Sequence, residues 1–183
     1  MMATTELLLS IEEYAALPDL GQFTELVRGK VVEMNRPFPR HGQVCTELIR
    51  VLSNHVREHD LGHVVSNDAG IVTRRNPDTV RGPDVAFISY AKLPKGPLPN
   101  RYIDIAPEVI FEVLSPSDRA ADVADKVQEY LGAGVQVVLV IDPQSMTGQI
   151  SRAGQSVQSF EADDVLEIGG LLGSLKVTLR DLC

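Results

Sequence analysis

The sequence predicts one α/β (α+β) domain in which helices flank a central mixed β-sheet. Three observations carry this. Short apolar runs at VAFIS, EVIFEVLS and VQVVLVID read as strands, the last apolar on both sides and therefore central. Val44, Leu48, Val51, Leu52 and Val56 recur at helical spacing, giving a helix from about His41 to Asp60 one buried stripe. A second helical pattern separates the last two strands. The 183 residues suit a single domain over 1–183, with a core at about 20–145 and two additions, an N-terminal helix at 10–17 and C-terminal strands at 146–182.

The elements follow in order. Ser10 and Glu13 make a capping-box pattern for a short helix that stops near Pro18. FTELV and KVVEM flank Arg28–Gly29, a hairpin whose glycine supplies the positive φ of a tight turn. RPFPR is a loop. Gly62 ends the long helix, and HVVSNDAGIVT reads as one strand or two broken ones. RRNPDTVRG is a polar, turn-rich connection. After VAFIS, AKLPKGPLPNRYIDIAP is a long loop with four prolines. Ser117 or Asp118 caps a helix that runs to about Leu131, with Val123, Val127, Tyr130 and Leu131 on one face. Gly132 and Gly134 end it. Asp142–Pro143 is a turn after the central strand.

Composition narrows the function. Hydrophobic content of 44% with 23% charge is that of a folded chain, not a disordered one. With 17 basic and 25 acidic residues the net charge is −8, which argues against a surface that coats nucleic-acid phosphates broadly. Two cysteines, Cys45 and Cys183, make no disulfide framework and read as reduced thiols of a cytoplasmic protein. The start, MMATTELLLSIEEY, has no basic segment before its apolar run and is not expected to be a leader. No apolar run approaches the ~20 residues of a membrane span, so no membrane partner is expected. Glycine-rich phosphate loops of the GxGxxG or GxxxxGK[ST] kind do not occur.

Two carboxylates stand where burial rules disfavour them. Asp84 opens the strand of Val85–Ile88, and Glu112 lies inside Val109-Ile110-Phe111-Glu112-Val113-Leu114, sharing a face with Ile110 and Leu114. Burying an unpaired carboxylate costs several kcal/mol. A cation, a basic side chain or solvent in a cleft must therefore compensate Glu112. A divalent metal shared with Asp84 would do so, because hard cations prefer oxygen ligands; a buried salt bridge is the ordinary alternative. Lys126 sits at the border of its helix's buried face. It can pair with Asp122 one turn earlier, or point back over the sheet toward Glu112.

These pieces together, GPDVAFIS, APEVIFEVLSPSDR and DVADKVQEYLGAGVQVVLVIDP, preceded by FTELVRGKVVEM and the helix beginning at His41, resemble the Uma-two family of endonucleases. That family is a branch of the PD-(D/E)XK, restriction-endonuclease-like superfamily. The resemblance spans about residues 10–182. It implies a restriction-endonuclease-like central mixed sheet flanked by helices, and metal-dependent hydrolysis of nucleic-acid phosphodiesters, with DNA the favoured substrate. It implies Mg²⁺ as cofactor, with Mn²⁺ as an alternative, held by Asp84 and Glu112. The position of the motif lysine after Glu112 is taken by Leu114, and Lys126 from the following helix is the implied replacement. Glu25 matches an acidic position that would make it an accessory metal ligand, and His41 matches a histidine at the rim of the site. Many nucleases of the superfamily pair two subunits, so a homodimer fits the resemblance.

Two rivals remain at this point. One is a nuclease-like fold kept as a non-catalytic binding or interaction module, which the acidic charge and Leu114 favour. The other is a zinc metalloprotease, from the H-x-x-E-H match at His55–His59, for which no clear third ligand follows. The charge is unevenly spread. Residues 74–101 hold Arg74, Arg75, Arg81, Lys92, Lys95 and Arg101 against Asp78 and Asp84, a surplus of four positive charges around the Asp84 strand. That stretch is the expected contact for a polyanion.

Overall fold

The chain runs α1 (Ile11–Ala15), β1 (Thr24–Val27), β2 (Lys30–Glu33), α2 (Pro39–Glu58), β3 (Gly62–Ser66), β4 (Ile71–Arg74), β5 (Thr79–Arg81), β6 (Val85–Ser89), β7 (Val109–Val113), α3 (Ala120–Gly132), β8 (Val137–Asp142), β9 (Thr147–Arg152), β10 (Gln158–Glu161) and α4 (Leu179–Leu182). The computed structural model describes residues 8–18, 22–166 and 168–183. The N-terminal stretch through Leu7, read above as no leader, and the first residues of the expected core at 20–21 lie outside the described residues.

The three apolar runs become the spine of a six-stranded sheet of order β10-β9-β8-β7-β6-β3. β7 and β8 pair in parallel and the other neighbours antiparallel, so the sheet is mixed, as expected. Strand alternation sends Val85, Phe87, Val109, Phe111, Leu139 and Ile141 to one face, where α2 lays down Val44, Leu48, Leu52 and Val56. Ala86, Ile110, Val138 and Val140 go to the other face, under Val127 and Tyr130 of α3. At about 25 cal/mol per Å² of apolar surface, each fully buried Val, Leu, Ile or Phe among these stabilises by roughly 1.5–3 kcal/mol.

A second, antiparallel sheet, β2-β1-β5-β4, forms an arm beside the first. Arg28 and Gly29 turn its hairpin with φ of 52° and 78°, the two positive values a two-residue hairpin turn requires. A Cβ on Gly29 would also lie 2.6 Å from the Cβ of Leu8, so this position needs glycine twice over. α1, with its Ser10–Glu13 capping box, packs Ile11 on Leu26, Val72 and Val80 of the arm.

Two local expectations are corrected, and one that the sequence leaves open is decided. The turn-rich RRNPDTVRG contains a short strand, β5, which pairs with both β1 and β4. HVVSNDAGIVT is two strands, β3 and β4, in different sheets, because Asn67 and Asp68 both take positive φ and turn the chain between them. The N-cap of α3 is Arg119, with no side-chain cap; Asp118 turns back to accept the Ser115 N–H at 2.7 Å, so it does not serve the helix.

The C-terminal expectation is half right. β9 and β10 form, but after Glu161 the described chain makes a single 3-10 turn at Gly169–Leu172 and the short helix α4 instead of strands. Leu166, Ile168, Leu172, Val177, Leu179 and Leu182 bury themselves against the core that α2 covers, which an added edge strand would not allow. Among the described residues no helix is long and apolar enough to cross a membrane.

Candidate active site

The register of β6 on β7 assembles the first two residues. Val85 faces Phe111, Ala86 faces Ile110 and Phe87 faces Val109. One further step along this antiparallel ladder sets Asp84 opposite Glu112. The Val113 N–H donates to Asp84 Oδ2 at 2.7 Å, which fixes that carboxylate at the end of the strand. The long cleft beside it, about 1220 Å³, is lined by both carboxylates, by residues of α2 and α3, and by the hairpin arm through Phe23, Glu25, Val32 and Met34.

α3 returns over the sheet with Lys126 and Tyr130 one turn apart, and both meet Glu112. The Lys126 Nζ lies 3.1 Å from each Glu112 carboxylate oxygen, and the Tyr130 hydroxyl donates to Oε1 at 2.8 Å. Lys126 also lies 3.3 Å from Glu25 Oε1 and 3.4 Å from the Gly82 carbonyl. Of the two directions open to Lys126 in the sequence, the structure takes the one over the sheet.

Glu25 is buried and fully engaged. Its Oε1 accepts the Gly82 N–H at 2.9 Å and its Oε2 accepts from Arg81 at 2.9 Å. Arg81 forms a fork with Glu129, two bonds of 2.9 Å each, and Thr73 donates to the same Glu129. Lys126 is thus clamped by two carboxylates, one of which is itself clamped by an arginine. Glu129 and Gly82 belong to this network and were not singled out by the sequence. Tyr130 was legible only as part of the buried helix face, because a tyrosine there reads as core until its hydroxyl is seen.

Burial strongly disfavours the charged form of Glu112, the nearby Lys126 favours it, and the Asp84 charge disfavours it further; the group is pushed up to about 7. Burial likewise opposes the charge on Lys126, but Glu112 and Glu25 outweigh it and hold the ammonium protonated. His41, at the first turn of α2, sets Nε2 3.1 Å from Asp84 Oδ1. Burial lowers its affinity for a proton, but the hydrogen bond and charge of Asp84 prevail and raise it. Two carboxylates lining one cleft, one disfavoured as an anion by the other's charge, are a donor set that suits a hard divalent cation.

The family model described as "Uma2: Putative restriction endonuclease" matches residues 11–180. The chain belongs to the Uma2 family. The crystal structure of "a putative nuclease belonging to DUF820 from Anabaena variabilis" is similar, with a TM-score of 0.81, 22% identity, and coverage of 95% of this chain and 97% of that one. That likeness shows a shared fold. Among curated proteins there is no match. Family membership supports a nuclease function.

The basic stretch of this Uma2 protein divides. Arg74 and Arg81 line the cleft, but Arg81 is spent on Glu25 and Glu129, which leaves Arg74 as the stretch's exposed arginine there, beside the exposed Arg28 and Arg119 from outside the stretch. Arg75 bonds Asp104 at 2.7 Å, Lys92 donates to the Ala106 carbonyl at 2.7 Å, and Lys95 pairs with Asp60. These three and the exposed Arg101 are not among the residues lining the cleft. The histidines of H-x-x-E-H bond backbone carbonyls, His55 to Leu172 at 2.7 Å and His59 to His55 at 3.0 Å. They belong to no three-donor group among the described residues.

Proposed function

We propose that the cleft of this Uma2 protein hydrolyses nucleic-acid phosphodiester bonds, with DNA as the substrate and Mg²⁺ or Mn²⁺ as the cofactor. The observation that carries this reading is the convergence of Asp84, Glu112 and Lys126 at one open cleft, with the lysine 3.1 Å from the glutamate. Asp84 and Glu112 would hold the cation, which when bound supplies Lewis-acid polarisation and neutralises phosphate charge.

The remaining work falls to the chain. Lys126 presents a fixed positive charge beside the place where a phosphate oxygen gains negative charge, and its preorganisation avoids reorientation during reaction. Tyr130, Glu25 and the Gly82 carbonyl hold Glu112 and Lys126 in position, and Arg81 holds Glu25. Glu25, in this reading, positions the lysine and does not ligate the metal. The apolar wall of Phe23, Val32 and Met34, each 40% exposed, offers bases a surface to stack on. Arg74 supplies charge for the backbone.

The test is incubation of the pure chain with single-stranded, double-stranded and branched DNA and with RNA, in Mg²⁺ or Mn²⁺. Cleavage is expected for wild type and not for Asp84→Ala or Glu112→Ala. Binding without cleavage of any substrate would favour the rival reading, a non-catalytic module on the same fold.

A further inference from the structure

His41 and Cys45 stand one turn apart on α2, and both face Asp84 across the cleft wall. Among the described residues, this is the one trio of His, Cys, Asp or Glu whose donor atoms gather within 4.8 Å of one another. The Nε2 of His41 lies 3.1 Å from Asp84 Oδ1, and its Nδ1 lies 3.5 Å from Cys45 Sγ. Metal bonds of about 2.0–2.1 Å to nitrogen and oxygen and about 2.3 Å to sulfur, at tetrahedral angles, put ligand atoms roughly 3.3–3.6 Å apart. Those two contacts use different imidazole nitrogens; with one donor atom taken from each residue the three gather within 4.8 Å, so a shared ion needs the side chains to close by about 1 Å onto one nitrogen. All three side chains are partly buried and line the cleft, so a fourth position would open onto it.

We propose that His41, Cys45 and Asp84 bind a thiophilic divalent ion of the Zn²⁺ or Co²⁺ class. A nitrogen, a thiolate sulfur and a carboxylate oxygen form a borderline-soft set, which Mg²⁺ does not favour. The i, i+4 pair gives the helix two ligands on one side, and Asp84 is already fixed by the Val113 N–H, as ligating carboxylates are fixed by second partners. The proposal shares Asp84 with the nuclease reading and rests on nothing else in it.

The experiment is titration of the reduced, metal-free chain with Co²⁺, read by absorption. A 1:1 complex with a near-ultraviolet sulfur-to-cobalt charge-transfer band is expected. The chain has two cysteines, so the Cys183→Ser variant leaves Cys45 as the one thiol, and the band must survive in it. The band must vanish in Cys45→Ser, with folding checked by circular dichroism, and His41→Ala should bind Co²⁺ at least about 10-fold more weakly. Absence of the band from wild type, its loss in Cys183→Ser, or its persistence in Cys45→Ser would each overturn the proposal. Mg²⁺-dependent cleavage by a chain that shows no such band would remove this site and leave the nuclease reading standing. The band without cleavage of any substrate would do the reverse.

Discussion

Lys126 is the residue on which the centre turns. Its ammonium is satisfied by Glu112, Glu25 and the Gly82 carbonyl, and its side chain is 15% exposed. Replacing it by methionine keeps the bulk and removes the charge. Two buried carboxylates then lose their shared cation, and the expected loss of stability is ~3 kcal/mol, read by urea denaturation at pH 8. Cleavage by the folded variant is expected to fall at least about 100-fold, as for removal of one preorganised charge from a reacting centre. Glu129 makes a separable prediction. Burial raises its proton affinity, but the Arg81 fork and the Thr73 hydroxyl outweigh it and hold the carboxyl below its ordinary 4.5. The unfolded chain therefore binds this proton more readily than the folded one. The pairing stabilises the fold above pH 4.5, and that contribution is lost as pH falls through the lower folded value. Thermal melts of Glu129→Gln from pH 7 to pH 3 should show a lower starting stability and a shallower loss on acidification than wild type.

At the scale of elements, β3 and α2 each place the site through one tight constraint. β3 begins at Gly62, where a Cβ would come within 2.2 Å of the Ile88 carbonyl on the neighbouring strand β6. Gly62→Ala must push β3 off β6, the strand that Asp84 precedes. The expected loss is about 1–3 kcal/mol, measured by chemical denaturation. α2 is held to the sheet by fully buried Val44, Leu48 and Leu52, and Leu48→Ala should cost about 2–5 kcal/mol. Both elements show what the sequence makes legible. The stripe at 44, 48, 52 and 56 could be read because α2 buries one face of a long helix. Asp84 and Glu112 could be read because a carboxylate in an apolar strand is costly unless something answers it. What answers it could not be read, since Glu25, Arg81 and Glu129 come from three different elements whose meeting depends on how the two sheets lie together. Beyond β9 and β10, the part after Glu161 was not legible as a strand or a helix for a related reason: Leu179 and Leu182 are driven by burial against a distant core, and the capping box of Thr178 and Asp181 is the one local signal of a helix there.

At the scale of the whole molecule, the acidic balance and a phosphate substrate are reconciled by position. Several carboxylates of the −8 total face the cleft, among them Asp84, Glu112, Glu25 and Glu129. Arg81 and Lys126 answer part of that charge from within, and a bound cation would answer more. The basic stretch at 74–101 largely pairs with local acids, so binding of a polyanion should depend on the cleft and weaken with salt. If a cation sits between Asp84 and Glu112, Mg²⁺ or Mn²⁺ should raise the melting temperature of wild type and not of Asp84→Asn.

The most direct test is the initial rate of cleavage of a labelled DNA as Mg²⁺ is titrated, for wild type beside Glu112→Gln. The prediction is a saturable, chelator-reversible rate for wild type and none for the variant. Equal rates in the two proteins, or no cleavage by wild type at any Mg²⁺ concentration, would contradict it.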